Sequence, residues 1–122
     1  MWLPILFLII GISLGFLTDI RVPEEYASYL SIAVLAAFDT LFGGVRAYLE
    51  NKFDEIIFLT GFFFNITLAA ALAFLGVQLG VDLYLAAIFA FGVRLFQNIA
   101  SIRRHLIDQR LINKKLEKNN RN

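Results

Sequence analysis

An all-α integral membrane fold is expected: a bundle of four transmembrane helices followed by a basic, amphipathic cytoplasmic tail. Hydrophobic residues make up 59% of the 122 positions and charged residues only 17%, where a soluble domain averages about 45–50% apolar. The apolar residues gather in four long segments separated by short polar breaks. The charge is lopsided: seven basic and two acidic residues lie from Arg103 onward, against four basic and eight acidic before it. A basic run directly after an apolar segment is a positive-inside signal.

The first segment, about Trp2 to Leu17, is short for a crossing. It lacks the basic leader and small-residue cleavage site of a signal peptide and is read as a retained spanning helix. Asp19 to Arg21 ends it. The second, about Tyr26 to Leu49, opens at Val22-Pro23-Glu24-Glu25, with proline at a helix start and two acids at the positive end of the dipole. Glu50 to Glu55 is a polar turn. The third segment, about Ile56 to Leu79, ends at Gly80-Val81-Asp82, where glycine can stop one helix and Asp82 cap the next. The fourth runs from about Leu83 to Ile102. A crossing helix needs roughly 17–25 mostly apolar residues, so the second and third are long enough to cross with some tilt. Three spans, with the amino terminus outside, is the alternative count.

Beyond Ile102 the helical spacing of Leu95, Ile99, Ile102, Leu106 and Leu111 continues. It predicts an amphipathic stretch on anionic lipid, with Arg103, Arg104, Arg110, Lys114 and Lys115 as the lipid-binding residues. Asn119 to Asn122 is expected to be disordered. The chain divides into a transmembrane domain, 1–104, and a cytoplasmic tail, 105–122. Orientation by the lysines and arginines places this tail, and the turn bearing Arg46 and Lys52, on the cytoplasmic side of a plasma membrane.

Asp39 and Arg94 stand out because each interrupts an otherwise apolar helix. A charge at a helix centre costs about 2.5–3.5 kcal/mol on insertion scales and usually has a partner. Counting about 1.5 Å of rise per residue, both lie about 18 Å from the same face, and Asn65 lies about 15 Å in from the opposite one. Asp39, Gly43 and Arg46 share one helix face, and Arg94, Asn98, Ser101 and His105 another. Gly61, Asn65, Ala69 and Ala73 form a small-residue stripe. Asp39, Asn65, Arg94 and Asn98 are the candidate intramembrane cluster, with Arg46 and Ser101 on its cytoplasmic side. Two readings compete for it: an ion pair fixing helix register, or a crevice through which an ion or small solute passes.

No cysteine is present, so disulfides and thiolate metal sites are excluded. No catalytic triad, metal-ligand spacing or phosphate loop occurs, and neither an enzyme nor a cofactor is expected. The partners expected are membrane lipids and other membrane proteins, including copies of the chain, rather than nucleic acid. Gly11-x-x-x-Gly15 and Gly76-x-x-x-Gly80 match the pattern of closely packed membrane helices.

Four stretches carry a family resemblance: Met1 to Pro4, Tyr29 to Arg46, Gly61 to Asn65, and Leu79 to Arg104. On these the chain resembles the small basic protein family of Gram-positive bacteria. The resemblance implies a multi-pass membrane protein whose gene tends to lie near cell-division and envelope genes. It brings no activity, cofactor or catalytic residue. From it and the residues together, the leading expectation is a structural or interaction protein, in an oligomer, linked to division or envelope biogenesis. The alternative is a small transporter or channel subunit using Asp39, Asn65 and Arg94.

Overall fold

The structure is a computed structural model in which residues 2–122 are described. It holds four helices, α1 (Trp2–Leu17), α2 (Glu24–Leu49), α3 (Glu55–Leu79) and α4 (Tyr84–Arg121). Their ends follow local chemistry. Pro23 precedes α2, and Glu24 and Glu25 occupy its first turn. Its exit turns at Asn51, which has φ 58°, a left-handed conformation that asparagine tolerates better than most residues. Asp54 caps α3, its carboxylate accepting from the backbone N–H groups of Ile56 at 2.8 Å and Ile57 at 3.2 Å.

Gly80 ends α3 at φ 70°. A Cβ on Gly76 would stand 2.5 Å from the Val81 carbonyl oxygen. The Gly76-x-x-x-Gly80 pair therefore serves the α3–α4 turn. Gly11 and Gly15, by contrast, face open space. Asp82 does not cap α4: Leu83 holds that position and no side chain bonds there.

Three helices, not four, can cross a membrane: α2, α3 and α4. α1 has 16 residues, a rise of about 24 Å against a hydrocarbon core of about 30 Å. Apolar composition suggested a fourth span where the length does not suffice. α1 also buries none of its residues.

α2 is central. It packs along both α3 and α4, which touch each other far less, so the cross-section reads α3–α2–α4. The core is Ile32 and Ala36 of α2, Ala69 and Ala73 of α3, and Ala87 and Phe91 of α4. Large side chains such as Phe16, Phe63, Phe64, Phe89 and Phe96 lie outside. In water this arrangement would be inverted. In lipid it is the expected one, because acyl chains solvate phenylalanine as well as protein does and small residues let backbones approach.

α4 continues without interruption to Arg121, so Asn119 to Arg121 are helical rather than disordered. Of the expected apolar row, Leu95, Ile99, Ile102 and Leu106 keep within about 60° of one another and Leu111 departs from it. Leu106, Ile107, Leu111, Ile112 and Leu116 are all exposed, and at roughly 100° per residue they fall around the whole circumference. The cations behave differently. Arg103, Arg104, Arg110, Lys114, Lys115, Lys118 and Arg121 fall within an arc of about 140°.

Candidate functional site

The face of α2 bearing Asp39, Gly43, Arg46 and Glu50 meets the face of α4 bearing Arg94, Asn98 and His105. Positions three and four apart stack on one side of a helix, and the α2–α4 contact turns these two rows toward each other. Asp39 is fully buried, its side chain 0% exposed. The Arg94 Nη2 lies 3.3 Å from Asp39 Oδ2, and the Arg94 side chain remains 55% exposed. Oδ2 receives no hydrogen bond among the described residues, so this contact is an attraction of charges rather than an aligned bond.

Asn98 links the two ends of the seam. Its Nδ2 donates to Asp39 Oδ1 at 3.5 Å, and its Oδ1 accepts from Arg46 Nη1 at 3.3 Å. Arg46 Nε in turn pairs with Glu50 Oε1 at 3.3 Å. Gly43 makes room for the bridge, since a Cβ there would sit 3.3 Å from Asn98 Nδ2. A chain of polar contacts therefore runs from the middle of two candidate spans to the α2–α3 turn. There it meets a cavity of about 500 Å³ lined by Tyr48, Leu49, Asn51, Phe53, His105 and Gln109. The Nε2 of His105 is buried without a hydrogen-bond partner among the described residues.

The structure thus joins Asp39, Arg94, Asn98 and Arg46. Asn65 stands apart: it is half-buried on α3 and makes no side-chain hydrogen bond among the described residues. The side of α3 that packs inward is Ile66, Ala69, Ala73 and Gly76; Asn65 lies at its margin, about 20° from Gly76, but that side packs chiefly on α2 and touches α4 little. Ser101 is half-buried near the seam but takes no part in its bonds. Two features escaped sequence reasoning. Glu50 was legible as an acid four residues after Arg46; the cavity around His105 was not, because it depends on where the α2–α3 turn folds. Arg103, Arg104, Arg110, Lys114 and Lys115 are exposed and lie outside the seam. Among the described residues no three His, Asp or Glu groups converge on a point that could hold a metal ion.

Residues 22–107 match the family described as Protein of unknown function (DUF1290). The chain is 63% identical over 119 residues to "Small basic protein" of Bacillus subtilis (strain 168), covering 98% of each. It is 48% identical over 101 residues to "Uncharacterized protein Rv1824" of Mycobacterium tuberculosis (strain ATCC 25618 / H37Rv), covering 81% of this chain and 84% of the relative. No solved structure matches it. The chain belongs to this small basic protein family. The matched region contains the whole seam and stops just beyond His105.

Proposed function

We propose that this member of the small basic protein family is a subunit of a small membrane transporter or channel, with the α2–α4 seam handling the solute. The observation that carries the reading is the Arg94 guanidinium, more than half exposed within the apolar first half of a helix long and apolar enough to cross a membrane. Such a group is too costly to leave against acyl chains and calls for water or a polar partner. From it the polar contacts descend through Asp39, Asn98 and Arg46 to the cavity at His105. The exposed charge is positive, so an anion is the cargo to test first. The reading assigns no enzymatic reaction. It takes the membrane to be the plasma membrane, with the seven cations from Arg103 onward on the cytoplasmic side.

A second reading has one observation in its favour: the Asp39 side chain is entirely buried, as in a dry pair that fixes register. The chain would then be a structural or interaction protein of division or envelope biogenesis. Reconstitution in liposomes separates the two. Transport predicts chloride or proton flux that is lost in Arg94→Gln, and that stays lost in the folded double swap Asp39→Arg/Arg94→Asp. It also predicts that Ser101→Cys reacts with a water-soluble maleimide. A folded wild type that carries no flux and has an unreactive Ser101→Cys would favour the dry pair.

A further inference from the structure

α1 lies over a groove that it does not fill. It faces α2 and α3 across a cavity of about 780 Å³, whose lining includes Trp2, Phe7 and Gly11 of α1, Val34 and Leu41 of α2, and Phe62 of α3. Yet α1 buries no residue, and a Cβ on Gly11 would meet nothing within 4 Å. An unfilled apolar gap forfeits the dispersion contacts of its lining. In a bilayer, something apolar therefore occupies it.

The dimensions of the groove and its one charge define the occupant. Glu55 opens α3 directly after the polar α2–α3 turn and lines the groove at that end. Val34 lines it far above, about 22 Å from the Leu49 end of α2. The groove thus starts at the membrane surface and runs through about two-thirds of a hydrocarbon core of about 30 Å. A helix, about 10–12 Å across with its side chains, would need roughly 2,000 Å³ over that length. The cavity of about 780 Å³ instead falls within the roughly 300–1,000 Å³ of small-ligand pockets. It suits an acyl chain and not a second helix. Glu55 is the one charged residue of the lining. It is exposed and enters no salt bridge among the described residues.

We propose that the α1–α2–α3 groove is a lipid site. It holds an acyl chain of a phospholipid whose head carries a primary ammonium, as in phosphatidylethanolamine, and the ammonium donates to the Glu55 carboxylate. A primary ammonium has three N–H donors to offer. The quaternary head of phosphatidylcholine has none, and phosphatidylglycerol brings a net negative charge to an acid. The site is separate from the α2–α4 seam and does not depend on what the seam carries. Val34, Ala37 and Leu41 of the groove lie about 180° around α2 from Asp39, Gly43 and Arg46.

Trp2, the lone tryptophan, lines the groove and reports on its occupant. The whole chain is reconstituted in phosphatidylcholine containing a small fraction of one lipid with brominated acyl chains, and quenching of Trp2 fluorescence is read. Brominated phosphatidylethanolamine should quench as though enriched about three- to fivefold over brominated phosphatidylcholine at equal fraction, the worth of an exposed ion pair. Glu55→Gln should abolish that preference and leave quenching at the phosphatidylcholine level. Gly11→Phe fills the groove from a position with open space beside it and should abolish the preference too. Unchanged helical circular dichroism verifies that each variant is folded. Equal quenching by the two lipids, stronger quenching by brominated phosphatidylglycerol, or a preference that survives Glu55→Gln would overturn the proposal. So would quenching that falls as protein density rises, since a second copy would then occupy the groove.

Discussion

Removing the charge of Asp39 while keeping its shape tests the seam most directly. Asp39→Asn retains an oxygen for Asn98 Nδ2, now 3.5 Å from the carboxylate, so what it deletes is the attraction to Arg94 across 3.3 Å. The guanidinium is left as a lone cation near the middle of a span, a situation worth about 2.5–3.5 kcal/mol. That corresponds to a folded-to-unfolded ratio lower by about 70- to 400-fold. Arg94→Gln alone strands a fully buried carboxylate and should cost at least as much, because breaking a buried pair from one side typically costs about 3–5 kcal/mol. The double variant Asp39→Asn/Arg94→Gln has neither charge and should be much closer to wild type than the two losses added together. Unfolding in mixed micelles, followed by far-ultraviolet circular dichroism, gives all four corners of the cycle. The lone tryptophan, Trp2, lies on α1, which buries nothing, and is a poor reporter of the bundle. Single losses that add to within about 0.5 kcal/mol would mean that the two residues do not interact and would remove the seam's upper half.

Gly76→Ala forces a Cβ to within 2.5 Å of the Val81 carbonyl oxygen; overpacking of this kind costs about 1–3 kcal/mol, measurable in the same unfolding assay. Asp54→Ala removes the cap of α3 and its two hydrogen bonds, and should lower stability by ~1 kcal/mol. Deleting residues 2–17 should shift bundle stability by no more than about 1 kcal/mol, because α1 contributes no buried residue and lipid solvates the exposed apolar surface as well as protein does. Gly43→Leu fills the space against Asn98 Nδ2, and should separate Asp39 from Arg46 and abolish any flux that Arg94→Gln abolishes, as read in the liposome assay.

Much of this was visible in the sequence, and the limits have physical causes. Asp39 and Arg94 could be paired because helical rise sets depth, and depth is conserved across a membrane. Arg46 and Asn98 could be placed on the right faces because helical periodicity sets direction. Asn65 matched in depth and lies on the packed side of α3, but not against the helix expected. Which helix a packed face meets is set by the arrangement of the bundle, and the side bearing Ala69, Ala73 and Gly76 packs chiefly on α2 and little on α4, so Asn65 stays out of the seam. The fourth span failed on a different ground: apolar character shows that a helix is compatible with lipid, whereas crossing is a matter of length, and 16 residues fall short. In the tail the expected apolar row ends at Leu106, and beyond it the cations rather than the apolar residues keep to one side.

The two interfaces of α2 differ in kind, and the difference bears on what can move. Toward α3, α2 meets Ala69, Ala73 and Gly76, a dry contact that depends on close backbone approach and offers nothing for water to replace. Toward α4, Ala87 and Phe91 supply a short apolar contact near its start, and the remainder is held through Asp39, Asn98 and Arg46 by bonds of 3.3–3.5 Å. Polar links of that length exchange for water with little net loss, since a bridging water is enthalpically nearly as good as a direct bond. Water can enter from the cavity at His105. The seam is therefore the side of α2 on which water can replace protein contacts, and the Arg46 end lies nearest the cavity.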